Sequence, residues 1–281
     1  GPRWAGRKRN LVIDPTVTDR NSALASFLGF WAEAGVDVCL DETPVDRLAL
    51  GRARLNTPPK AAAAPEVERA PRPGLATLSA HALETARVAA AGAANLAELE
   101  AAIAAYEGCP LKSQGARQAV FARGRADAPV MIIGEGPGAE EDLQGAPFVG
   151  RAGKLLDRML RAASLSDQVF ITNTVFWRPP GNRTPTLEEQ ATCLPFVERA
   201  IALVRPKALL LVGGASAKAM LRRSEGILSL RGQWQIWSSE DGAQSLPALP
   251  TLHPAFLLRQ PAAKKKAWAD MLALVGRLES L

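Results

Sequence analysis

Residues 134–142 read GEGPGAEED, three glycines within five positions followed at once by three acids. Backbone without Cβ atoms lets a ligand come close. The ligand is not a phosphate: the loop has no Gly-Lys-Ser/Thr ending, Pro137 removes an amide donor, and the acids repel anions. Farther on, Asn173 offers a side-chain acceptor and donor side by side. His253 is one of only two histidines in the chain, and a neutral imidazole can donate a hydrogen bond to developing negative charge. His81, with no motif around it, reads as a surface residue. Cys39, Cys109 and Cys193 are odd in number and widely spaced, which argues against a disulfide framework and a self-contained zinc site.

Residues so far apart need a scaffold that gathers them at one edge. Short apolar runs at 128–135 (APVMIIGE), 169–176 (VFITNTVF), 208–214 (ALLLVGG) and 249–253 (LPTLH) read as strands. Helical patterns at 150–163, 186–204, 214–222 and 262–280 separate and follow them. This alternation predicts an α/β fold, a three-layer α/β/α arrangement around a central, mostly parallel four-stranded sheet. Ligands in such folds sit beyond the carboxyl ends of the strands, where the polar residues above fall. Residues 77–105 read as a helical lead-in to a domain spanning 77–281, and 57–76 as a Pro/Ala-rich linker. Residues 1–56 read as an N-terminal appendage with an amphipathic helix at 21–36.

Hydrophobic residues make up 47% and charged residues 22% of the 281, a balance that excludes a disordered or membrane-embedded chain. The net charge of +6 suits an acidic polymer as partner. No signal-peptide pattern is evident, and a cytoplasmic, bacterial setting is expected.

Four further segments join the glycine-acid loop: QGAPFVGRAG at 144–153, ITN at 171–173, RPPGNR at 178–183 and HPAFLLR at 253–259. In this order and spacing they resemble the family 4 uracil-DNA glycosylases over roughly residues 106–281. The resemblance implies a monofunctional glycosylase that hydrolyses the N-glycosidic bond of uracil in DNA, single- or double-stranded, during base excision repair, acting as a monomer with no membrane partner. Uracil must leave the base stack to be reached. By the resemblance Phe148 stacks on the extruded base, and Asn173 accepts from its N3–H and donates to O4. Gly134, Gly136, Pro137 and Gly138 line the pocket. His253 stabilises the departing uracil, and Glu135 and Glu141 are the catalytic carboxylates, one of them holding the attacking water. Arg178, Leu257, Leu258 and Arg259 meet the DNA, the leucines as a wedge. A catalytically inactive DNA-binding or recruitment module of the same fold is the alternative. The retained Glu135, Glu141, Asn173 and His253 argue against it.

The chain departs from the family at its cluster. Family 4 enzymes ligate a four-iron, four-sulfur cluster through four cysteines; this chain keeps Cys109 and Cys193, with Tyr106 and Trp177 at the other two positions. Two thiolates are too few for four irons, so no metal and no cofactor is expected, with the two aromatics filling the volume. Gly138 stands where the most uracil-selective glycosylases place an aromatic ring, which implies tolerance of other deaminated bases.

Overall fold

The computed structural model describes residues 75–280. The expected appendage, its helix at 21–36, most of the linker and Cys39 lie outside the described residues. Two helices lead in, α1 (Leu75–Gly92) and α2 (Leu96–Ala105). Asn95 caps the second by accepting the Glu98 N–H at 2.9 Å, while the Glu98 carboxylate reaches back to the Ala94 N–H at 2.7 Å. This reciprocal closure satisfies amides that the helix start leaves unpaired.

From there strands and helices alternate: β1 (Ala122–Gly124), β2 (Val130–Gly134), α3 (Ala139–Gln144), α4 (Arg151–Ala162), β3 (Val169–Asn173), α5 (Leu187–Val204) and β4 (Ala208–Val212). Then come α6 (Gly214–Leu221), α7 (Ile227–Leu230), β5 (Gln235–Ser238), β6 (Ser245–Thr251), α8 (Pro254–Arg259) and α9 (Lys264–Glu279). The strands form one sheet in the order β1-β3-β2-β4-β6-β5. Its four inner strands are parallel, as the sequence predicts. The prediction omits two short antiparallel strands, β1 on β3 and β5 on β6, that complete a six-stranded sheet.

Every residue of β2, β3 and β4 is buried, because helices cover both faces. Alternation along each strand divides the core in two. Met131, Ile133, Leu209 and Leu211 face Phe196, Val197, Ala200 and Ile201 of α5 and the lead-in residues Leu99 and Ile103. Val130, Ile132, Leu210 and Val212 face Leu156 and Leu160 of α4 and Met271 and Leu274 of α9. The lead-in helices are thus part of this core. The chain leaves β2 for β3 on one side, then crosses back to β4 on the other. That reversal opens a crevice at the carboxyl ends of the inner strands. No helix among the described residues is long and apolar enough to cross a membrane.

Candidate active site

A cavity of ≈ 530 Å³ opens at this crevice, and Glu135, Gly136, Gly138, Phe148, Asn173 and His253 all line it. β2 brings Gly134 beside Asn173 of β3 in register. A Cβ on Gly134 would lie 2.4 Å from Asn173 Oδ1 and 2.5 Å from Phe148 Cζ. Only glycine there lets the amide and the ring close over the strand end.

Phe148 is buried and has φ +54, a left-handed conformation that costs a bulky residue about 1–3 kcal/mol and persists only where its surroundings impose it. Several contacts impose it here. The Glu141 carboxylate accepts the N–H groups of Val149 at 3.0 Å, Gly150 at 2.9 Å and Gly138 at 3.1 Å. From β1, the Arg123 guanidinium donates to the carbonyls of Pro147 at 2.8 Å and Phe148 at 3.2 Å. A Cβ on Gly153 would fall 1.8 Å from the Phe148 carbonyl oxygen, so α4 passes beneath the loop only with glycine at that point. Sequence reasoning missed Arg123, which sits on an edge strand too short to be seen.

Asn173 is buried at 1% exposure. Its Oδ1 and Nδ2 are the only buried side-chain polar atoms among the described residues that lack a hydrogen-bond partner. Its neighbours are satisfied: Thr172 donates to the Phe121 carbonyl at 2.7 Å and Thr174 to the Glu135 carbonyl at 2.6 Å. An unpaired buried polar group costs about 1–3 kcal/mol. The fold carries this cost with an acceptor and a donor adjacent, on a residue that lines the cavity.

His253 precedes α8 and caps it, its Nδ1 accepting the Ala255 N–H at 3.2 Å. With the lone pair used on Nδ1, the proton of the neutral ring resides on Nε2. Burial pulls the imidazole pKa down to about 4; the Arg259 charge adds to this and the Glu141 charge opposes it. The ring is therefore neutral at pH 7 and a donor through Nε2. Its centroid lies 5.8 Å from that of Phe148, the planes inclined by 32°.

The other expected site residues divide. Glu135 lines the cavity and its carboxylate makes no hydrogen bond or ion pair with another described residue, whereas both oxygens of Glu141 hold backbone. Pro137 and Arg259 also line the cavity. Arg178 does not; its Nε donates to Asn182 Oδ1 at 2.7 Å within the turn. The expectation for Leu257 is corrected: it is fully buried against Leu155, Leu252 and Ala267. α8 is a helix, so consecutive residues point about 100° apart, and Leu258 remains partly exposed while Leu257 turns inward. Phe256, Arg183 and Pro185, which sequence reasoning missed, complete the rim.

Away from the cavity, Cys109 and Cys193 are buried with their sulfurs 3.7 Å apart. Burial pushes the Cys193 thiol up, and its hydrogen bond draws Cys109 down. Tyr106 and Trp177 share this core cluster, their ring centroids 6.4 Å apart. The Tyr106 hydroxyl donates to the Ala82 carbonyl at 2.8 Å.

Residues 121–272 match the family described as the uracil DNA glycosylase superfamily. Among curated proteins, the chain is 37% identical over 187 residues to the type-4 uracil-DNA glycosylase of Pyrobaculum aerophilum, covering 65% of this chain and 94% of that one. It is 39% identical over 170 residues to the type-4 enzyme of Saccharolobus solfataricus (58% and 78% covered) and 39% over 153 residues to that of Thermotoga maritima (54% and 77% covered). These relatives overturn the expectation that no metal and no cofactor belongs here. They are of the type that the resemblance above ties to an iron–sulfur cluster, whereas the expectation rested on a thiol count alone. As for fit, no group of three or more His, Cys, Asp or Glu among the described residues is placed to hold a metal. Cys109 and Cys193 are half of the ligand set a four-iron cluster takes. The described residues do not fit that group.

Proposed function

Because this chain belongs to the uracil DNA glycosylase superfamily, we propose that it cuts uracil from DNA in base excision repair, with the cavity at the sheet's carboxyl edge as its active site. The observation that carries this reading is the unpartnered Asn173 amide. Uracil presents an N3–H donor beside an O4 acceptor, the complement of Oδ1 and Nδ2. Cytosine presents an acceptor and an amino donor, so it would leave both amide atoms facing like groups.

The base, extruded from the stack, lies against the Phe148 ring with its O4 edge at Asn173. As the bond from C1′ to N1 breaks, the electron pair passes to uracil N1 and O2, and His253 Nε2–H donates to O2. A neutral donor suits this step, since it stabilises the leaving anion without first surrendering a proton. The sugar acquires oxocarbenium character, which a carboxylate stabilises. Glu135, unpaired at the cavity wall, takes that part, orients the water that adds to C1′ and accepts the proton that the water gives up as the C–O bond forms. Glu141 acts through the backbone it holds, as a positioning residue. Pro137, Gly136 and Gly138 shape the wall, and Leu258 and Arg259 enter the DNA groove beside the vacated base position. No lysine lines the cavity among the described residues, so the enzyme is monofunctional and leaves an abasic site. The reading extends to a monomer at the bacterial chromosome, in the cytoplasm, acting on single- or double-stranded DNA. The excess of 34 Lys and Arg over 28 Asp and Glu suits that substrate.

The test is cleavage of an end-labelled oligonucleotide containing one uracil, with and without alkali, by wild type and His253→Ala. Alkali-dependent strand scission by wild type, slowed about 10²–10³-fold in the variant, is expected from loss of one oxyanion donor. Binding without scission by wild type would favour an inactive recruitment module and refute the reading.

A further inference from the structure

Arg151, Lys154, Arg158 and Arg161 follow one another along α4 at intervals of three, four and three residues. At 3.6 residues per turn they fall within an arc of about 80°, one stripe of the helix. All four are exposed, and none has a hydrogen-bonding or ion-pairing side chain among the described residues. They line a groove of ≈ 430 Å³ whose other walls are Asp157 and Leu258. Asp157 is already neutralised by Arg123 at 2.6 Å. Like charges at these spacings repel and weaken a helix, and the core residues Leu156 and Leu160 of α4 lie on its opposite face. Folding gives no reason for the stripe.

The groove adjoins the active site residue by residue. Arg151 lines the groove and Ala152 the cavity; Leu258 lines the groove and Arg259 the cavity. From Arg151 to Arg161 the helix advances about 15 Å, the length over which one strand of B-form DNA presents about four phosphates. We propose that this stripe is a phosphate track: Arg151, Lys154, Arg158 and Arg161 hold consecutive phosphates of one strand beside the extruded nucleotide, with Leu258 at the junction. The inference rests on the reading of the cavity as a uracil-excision site.

Its test is the salt dependence of binding to a uracil-containing oligonucleotide by the full chain, comparing wild type with Lys154→Gln/Arg158→Gln/Arg161→Gln. Each lost phosphate contact lowers the slope of log K against log salt by about 0.9 on duplex and about 0.7 on single strands. The triple variant should therefore show a slope shallower by about 2.7 or about 2.1. On duplex, going from 50 to 200 mM salt should then cost wild type about 40-fold more affinity than it costs the variant. An unchanged thermal midpoint shows the variant folded, and Lys207→Gln, at the opposite edge of the sheet, should leave the slope unaltered. If wild type excises uracil but the triple variant keeps the wild-type slope, or Lys207→Gln lowers the slope as much per charge, the track is refuted and the excision reading stands. If wild type excises nothing, both fall.

Discussion

Replacing Asn173 by Leu should make this protein more stable and nearly inactive. The two side chains branch at the same carbon, so Leu fills the space with two methyl groups where Asn puts Oδ1 and Nδ2. Those two atoms are the only unsatisfied buried side-chain polar atoms among the described residues. Removing one such group relieves about 1–3 kcal/mol, and replacing it by apolar atoms of like shape adds no new penalty. A net gain of about 2 kcal/mol corresponds to a rise in Tm of roughly 4–8 °C for a domain of this size. Uracil in the altered pocket loses partners for N3–H and O4, and at about 1–3 kcal/mol for each group left unpaired excision should fall roughly 30-fold to 10⁴-fold. Thermal unfolding by circular dichroism and single-turnover excision on the same preparations give the two numbers. A variant that is both less stable and inactive has a folding defect and says nothing of base reading. One that is more stable yet excises uracil at the wild-type rate would show that the amide is not the reader, and the proposed site would lose its main support.

Glu141→Ala should lower Tm by several degrees and slow excision more than 10²-fold, because three backbone N–H groups lose a charged acceptor; Glu135→Gln should slow excision with Tm unchanged. Equal stability losses in the two would remove the distinction between positioning and catalysis. Leu257→Ala should cost about 2–5 kcal/mol in a denaturant melt, whereas Leu258→Ala should leave the melt alone and weaken excision from duplex more than from single strands. With its folded pKa near 4 against 6.5 for a free imidazole, His253 refuses a proton that the unfolded chain accepts. Its contribution to stability is thus present above pH 6.5 and is lost as pH falls toward 4, amounting to about 3 kcal/mol, measurable by urea melts of wild type and His253→Gln across that range. The excision rate should show no titration near pH 6.5, and a tenfold fall per unit beginning there would contradict a neutral donor.

Much of the scaffold is legible because it depends on burial. The runs VMIIG and ALLLV are apolar at every position since both faces of those strands are covered, and helix ends such as Thr186 with Glu189 carry their caps in the sequence. β1 and β5 are not legible, being three and four residues long with polar or exposed positions. The start of β6 is hidden by Pro247, which has no N–H to suggest a ladder. Asn173, Phe148 and His253 stand out by residue type, but the division of labour between Glu135 and Glu141 depends on which amides point where. α8 had a sequence signal, Pro254 directly after a capping residue, that separates buried Leu257 from Leu258. The cofactor expectation failed differently, since ligand counting takes no account of what the relatives are.

The ring, amide and imidazole proposed to meet the base are each held by bonds made within the free protein: Phe148 between Glu141 and Arg123, Asn173 by its strand, His253 by its own helix cap. The loss of freedom needed to assemble the pocket is therefore complete once the chain has folded. In the proposed reading, selection between bases then follows from the match of donors and acceptors at Asn173. If that site is the reader, free uracil released after the cut is held only by its contacts with the ring, amide and imidazole, and those contacts set how long it stays.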